Sequence, residues 1–221
     1  MTVTIVFDLD GTLIDSAHDI AAATNKMLAE QGVAPLSVAQ VTSFVGDGLP
    51  SLVERVMRHC ELDASLHPQL CDATLSHYNA AGSELTKVYP GVYDALNTLR
   101  DQGCHMGICT NKPVQAAHHV LNALNLAPYF QAVIGGDSLP QRKPDPAPLR
   151  ATFDALPNGH RIYVGDSEID AETAQRAAIP FLLFTQGYRK TEVDQIPHTI
   201  SYDDSRVLPE IVAQALSASG N

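Results

Sequence analysis

Five short apolar runs constrain this chain more than any other feature: Thr2–Phe7, Cys104–Cys109, Ala132–Ile134, Arg161–Val164 and Phe181–Phe184. Each is too short for a typical helix, and most are bounded by Gly, Pro or Asp. Continuous rather than alternating apolar sequence suits strands buried on both faces of a parallel sheet. Helical patterns fill the intervals: Val92–Gln102, Val114–Leu124, Pro146–Ala155 and Ala171–Ala177. Leu96 and Leu99, then Leu121 and Leu124, have helical spacing, and Pro113 and Pro146 stand where a first turn tolerates proline. The alternation predicts βαβ units. The expected fold class is α/β, a doubly wound, mainly parallel sheet with a Rossmann-like core.

One region breaks the alternation. Between Asp15 and Glu84 no strand is expected, only helices. "AHDIAAATNKMLAEQG" stops at Gly32. "LSVAQVTSF" and "LPSLVERVMRHC" flank the turn "VGDG", and "LHPQLCDATLSHYNAAG" stops at Gly82. The expected division is a core of residues 1–15 and 85–221 with an inserted helical cap at 16–84. "LIDSAHD" and "GSELTKVYPG" are the linkers. An insertion that leaves and returns at one strand end sits over that end, as a lid or as padding. Only the tail "SASGN" reads as frayed.

Composition narrows the function classes. The 221 residues carry a formal charge of −11 and show no basic run, a poor match to nucleic acid or to an anionic membrane. No apolar run reaches the roughly 18 residues of a membrane span. No basic leader precedes Val3, and Cys60, Cys71, Cys104 and Cys109 form no CxxC pair, so a cytoplasmic protein with reduced thiols is expected. Oligomeric state is not readable.

Ligands of such sheets bind at the carboxyl ends of the strands. There the sequence places Asp8-Leu9-Asp10-Gly11-Thr12, Thr110-Asn111-Lys112-Pro113, the loop "GGDSLPQRKPDPAP" with Lys143, and Gly165-Asp166-Ser167-Glu168-Ile169-Asp170. Burying one carboxylate costs several kcal/mol unless it is paired, protonated or bound to metal, and adjacent carboxylates disfavour one another's ionisation. Thr110 and Ser167 alone would suit helix N-caps, and a lone lysine is usually solvated. Four such endings on one face are harder to read as caps.

In these motifs the sequence resembles the haloacid dehalogenase superfamily of aspartate-nucleophile phosphatases. Asp8-Leu9-Asp10-Gly11-Thr12 matches the first motif, Thr110 the second, Lys143 the third, and Gly165-Asp166-Ser167 with Asp170 the fourth. "FVGDGLPSLVERV" and "VYPGVYDAL" are most similar to the bacterial phosphoglycolate phosphatase family. The resemblance implies a Mg²⁺-dependent phosphate monoester hydrolase acting on a small phosphorylated metabolite, 2-phosphoglycolate being the expected one.

The resemblance also implies roles. Asp8 would be the nucleophile that forms an aspartyl phosphate. Asp10 would be the acid that protonates the leaving alkoxide and then the base that activates water. Asp8, Asp166 and the backbone carbonyl of Asp10 would hold Mg²⁺, and Asp170 would hold a metal-bound water. Lys143 would neutralise Asp8 and the phosphoryl oxygens. The Thr110 hydroxyl and the Asn111 backbone N–H would bind phosphate.

Other readings stay open beside it. Another small phosphate ester or pyrophosphate could be the substrate. A phosphohexose mutase shares the acid position, though Thr12 and Gly46-Asp47-Gly48 favour a hydrolase. A binding module would be expected to lose Asp8 or Asp10, and a dehalogenase would not need Asp10 or Asp166 with Asp170. A phosphonate hydrolase would need a reactive lysine in the insertion, where Lys26 stands alone. His118, His119 and Cys109 read as structural, Arg55 as solvated, and Tyr188 and Arg189 suit a surface turn or a loop near the site.

Overall fold

A computed structural model describes residues 2–218. Its strands are β1 (Val3–Phe7), β2 (Ile14–Asp15), β3 (Lys87–Val88), β4 (His105–Cys109), β5 (Ala132–Ile134), β6 (His160–Gly165), β7 (Phe181–Phe184) and β8 (Ile200–Tyr202). Six of them form one sheet in the order β5-β4-β1-β6-β7-β8, with every pairing parallel. The chain winds from β1 to one edge, then returns to the other side of β1. The winding therefore reverses between β1 and β6, and the crevice at their carboxyl ends is where such sheets bind ligands.

Strand β1 shows why the apolar runs are continuous. Successive side chains point to opposite faces. Ile5 and Phe7 pack with Met106, Ile108 and Val164 on one face, while Val6 packs with Tyr163 and Leu183 on the other. Each fully buried side chain of this size contributes roughly 1.5–3 kcal/mol.

The helices are α1 (Ala17–Glu30), α2 (Val38–Phe44), α3 (Leu49–His59), α4 (His67–Ala80), α5 (Val92–Asp101), α6 (Val114–Ala123), α7 (Ala147–Asp154), α8 (Glu168–Ala177) and α9 (Leu208–Ala218). The first four lie between β2 and β3. They bury Met27 and Leu28 of α1, Val53, Val56 and Met57 of α3, and Leu70 of α4 against one another. Val53, Val56 and Met57 have the spacing of one helix face. The group meets the sheet domain where Ala23, Tyr78 and Ala116 pack together.

Three strands are absent from the sequence reading. Strands β2 and β3 are two residues each and pair antiparallel, Ile14 with Val88 and Asp15 with Lys87. Strand β8 is three residues at the sheet edge. Runs this short have no periodicity, and their partners are far away in sequence. Helix α8 begins at Glu168, ahead of the expected Ala171, because Ser167 caps it in a reciprocal box with Asp170. Of the tail expected to fray, Ser217 and Ala218 belong to α9, and 219–221 lie outside the described residues.

Candidate active site

Three buried carboxylates stand at the crevice. Asp8 follows β1, with its backbone N–H donating to the Val164 carbonyl of β6 at 2.8 Å. Asp166 follows β6, and Asp170 lies in the first turn of α8. One carboxylate oxygen from each lies within 4.8 Å of the others. The Lys143 ammonium sits among them, 2.9 Å from Asp8 Oδ1, 2.7 Å from Asp170 Oδ1 and 3.0 Å from the Tyr163 hydroxyl.

The carboxylates differ in how fully they are satisfied. Asp170 is completely buried; Lys143 and the Tyr163 hydroxyl donate to its Oδ1, and Ser167 donates to its Oδ2 through both N–H and Oγ. Asp166 accepts from Thr12 Oγ1 at 2.7 Å and from the Tyr188 N–H at 2.6 Å. Asp8 Oδ1 is buried and meets the Lys143 ammonium as an ion pair at 2.9 Å, with far fewer donors around it than Asp170 has.

Electrostatics separate the three further. Burial pushes Asp8 up to about 7 against the pull of Lys143, with Asp170 adding to the rise. Burial, then the charges of Asp170 and Asp8, holds Asp166 well above the ordinary carboxylate range. Burial also works to raise Asp170, but Lys143 and the hydrogen bonds from Ser167 and Tyr163 outweigh it and leave the group below its ordinary value. Asp8 and Asp166 therefore share an electrostatic deficit that a divalent cation would relieve. Hard carboxylate oxygens this close together fit Mg²⁺.

Local geometry places these groups. Beyond Asp8 the chain turns back: the N–H groups of Leu13 and Ile14 donate to the Leu9 carbonyl, and the Gly11 N–H donates to the Ile14 carbonyl. Gly11 has φ +89°, and a Cβ there would lie 2.4 Å from Asp166 Oδ2. Gly187 approaches Asp166 from the other side, where a Cβ would lie 2.3 Å from the same oxygen. The Asp166 carboxylate is wedged between two glycines.

The turn brings Asp10 to the same cavity as Asp8, along with Thr110, Asn111, Lys143 and Asp166. The Thr110 hydroxyl accepts the Lys112 N–H at 3.2 Å. The Asn111 side chain clamps the Lys143 backbone, accepting its N–H and donating to its carbonyl, each at 3.0 Å. It also donates to the Gly46 carbonyl of the helical insertion at 3.1 Å. Gly46 and Gly48 line the cavity, whereas Arg55 pairs with Asp47 and the Phe44 carbonyl and stays outside it.

Besides Tyr163, whose hydroxyl meets Lys143 and Asp170, Lys112 and Tyr188 enter the site without a role from sequence reasoning. Lys112 is buried, with its ammonium 2.9 and 3.0 Å from the two Asp10 carboxylate oxygens and 4.3 Å from the centre of the Tyr78 ring. Burial opposes its charge, but Asp10 and Tyr78 keep its affinity for the proton above the ordinary lysine value. The sequence placed it only in the strand-end stretch Thr110-Asn111-Lys112-Pro113, with no pattern linking it to Asp10. Tyr188, which the sequence suited to a surface turn or a loop near the site, is in a loop that lines the cavity. Its hydroxyl donates to Asp15 at 2.8 Å and accepts from the N–H groups of Ser16 and Ala17.

Comparison with known proteins agrees with the fold and the family resemblance. The haloacid dehalogenase-like hydrolase family model matches residues 5–184. The phosphoglycolate phosphatase of Cereibacter sphaeroides (strain ATCC 17029) is 49% identical over 215 residues, covering 96% of this chain and 99% of that protein. The phosphoglycolate phosphatase of Rhodobacter capsulatus is 45% identical over 214 residues, with 96% and 97% covered. The crystal structure of a predicted phosphoglycolate phosphatase from Haemophilus somnus 129PT has a TM-score of 0.86 at 27% identity, covering 95% of this chain and 97% of that one. The chain belongs to the haloacid dehalogenase-like hydrolase family, and within it to the phosphoric monoester hydrolases.

Proposed function

We propose that this chain hydrolyses 2-phosphoglycolate with Mg²⁺, carrying the phosphoryl group transiently on Asp8. The observation that carries the reading is the buried Asp8 carboxylate, close beside Asp166 and paired with Lys143, at the reversal point of the sheet. Asp8 and Asp166, with the Asp10 backbone carbonyl, are the groups that would hold Mg²⁺. The ion would neutralise carboxylate and phosphoryl oxygens there.

The chain's own residues supply the rest. Asp8 attacks phosphorus while the bond from phosphorus to the leaving oxygen breaks. Asp10 gives a proton to that oxygen, then takes one from the water that attacks the phosphoryl group, which releases phosphate and restores Asp8. Lys143 holds Asp8 in place and offers positive charge to the phosphoryl oxygens. Asp170, with Tyr163 and Ser167, fixes Lys143. Thr110 and Asn111 bind the phosphate. Residues 16–84 act as the cap, and 1–15 with 85–221 as the core. All four cysteines are free, which suits the reducing cytoplasm.

The substrate choice is supported by the two named relatives that match nearly the whole chain. The test is kcat/KM for 2-phosphoglycolate against sugar phosphates, nitrophenyl phosphate and pyrophosphate. We expect 2-phosphoglycolate to lead. A sugar phosphate ahead of it by about tenfold, roughly 1.4 kcal/mol of transition-state preference, would refute the substrate but leave the hydrolase.

A further inference from the structure

We propose that Lys112 is the specificity-determining cation of this site, receiving the carboxylate of a leaving group that bears one beside the bridging oxygen. This rests on the reading of 2-phosphoglycolate as substrate and adds to it the residue that recognises the non-phosphate half. Three lysines and no arginine or histidine line the cavity among the described residues. Lys143 is engaged by Asp8, Asp170 and Tyr163. Lys190 is exposed and donates to the Val45 carbonyl. Lys112 is the third. Its side chain is only 6% exposed and lies over the Tyr78 ring, in a cavity that Ile20, Leu52 and Leu75 of the insertion also line.

Position and chemistry agree. An acid must come within roughly 2.6–3.2 Å of the oxygen it protonates. Lys112 Nζ lies 2.9 and 3.0 Å from the oxygens of Asp10, the group that makes this contact. A cation so close to the acid meets substituents next to the bridging oxygen, not distant ones. In 2-phosphoglycolate the carboxylate carbon is two bonds from that oxygen. The lysine backbone is fixed, its N–H donating to Thr110 Oγ1 and its carbonyl accepting from the Gly136 N–H. The ammonium needs only to exchange one carboxylate partner for another. A substrate lacking the carboxylate leaves Lys112 with Asp10 and forfeits this charge-assisted contact.

The competing account is that Lys112 only neutralises Asp10. The two accounts separate on matched esters, 2-phosphoglycolate and ethyl phosphate, which share two carbons and differ in the carboxylate. We expect wild-type enzyme with Mg²⁺ to favour 2-phosphoglycolate. Lys112→Met should lower the ratio of the two kcat/KM values by at least about tenfold, and Lys112→Arg should recover part of it. A ratio that falls by less than about tenfold in Lys112→Met, with both esters slowed alike, overturns the proposal. If Lys112→Met fails to fold, Lys112→Gln, which keeps a donor toward Asp10, is judged by the same ratio. A wild-type enzyme without preference for the carboxylate-bearing ester overturns the substrate reading and this proposal together. A preference that survives in Lys112→Met and Lys112→Gln overturns this proposal alone.

Discussion

At the scale of single residues, the site is a problem of like charges in a small volume. Asp166 is held by Thr12 and the Tyr188 N–H and pressed between Gly11 and Gly187. Gly11→Ala puts a methyl group where the carboxylate now sits and forces a side chain onto φ +89°. We expect it to weaken Mg²⁺ binding by at least about tenfold, read by calorimetry on the folded variant. Unchanged affinity would remove Asp166 from the proposed metal site. Asp10 makes a separate prediction. Asp10→Asn should slow alkyl phosphates far more than nitrophenyl phosphate, whose leaving group needs little protonation. Equal slowing would assign Asp10 a structural role. The motif residues were legible because Asp8-Leu9-Asp10-Gly11-Thr12 is one contiguous stretch. Lys112 and Tyr188 were not, because their roles depend on partners in other segments, Asp10 and Tyr78 for one and Asp15 for the other.

Between elements, the joints of the helical insertion decide how it sits. The outgoing joint runs from β2 to α1, where the Tyr188 hydroxyl binds Asp15 and two successive N–H groups. The returning joint is held by Asp19 of α1, which accepts from the Leu85 N–H and from Thr86 Oγ1 at 2.6 Å. Tyr188→Phe leaves the Ser16 and Ala17 N–H groups without that acceptor. We expect a loss of about 2 kcal/mol, a fall of roughly 4–8 °C in Tm, seen by calorimetry. The change should also lower kcat/KM, because the Tyr188 N–H positions Asp166 from the same loop. An unshifted Tm would mean that the joint is held elsewhere. The sequence announced β1, β4 and β7 through apolar content alone, since burial on both faces leaves no polar alternation to confuse. It could not announce β2 and β3, whose pairing spans more than seventy residues and involves two residues a side.

For the whole molecule, the carboxylates link stability to pH and metal. Asp8, pushed up to about 7, and Asp166, also held above the ordinary carboxylate range, keep protons in the metal-free folded state that the unfolded chain releases near pH 4. The folded state then binds more protons, so metal-free stability falls as pH rises from about 4 to about 7. Mg²⁺ must displace those protons, so the gap in Tm between loaded and metal-free protein should widen over the same interval. A gap independent of pH would show that the carboxylates do not take up the metal. Acid-quenched mass spectrometry of the Mg²⁺-loaded wild-type enzyme during turnover of 2-phosphoglycolate tests Asp8 as covalent nucleophile most directly. We predict a phosphoryl adduct on the peptide carrying Asp8 that disappears once substrate is exhausted and never forms in Asp8→Asn, which should be inactive yet folded. Full turnover in Asp8→Asn, or an adduct on another residue, would contradict it.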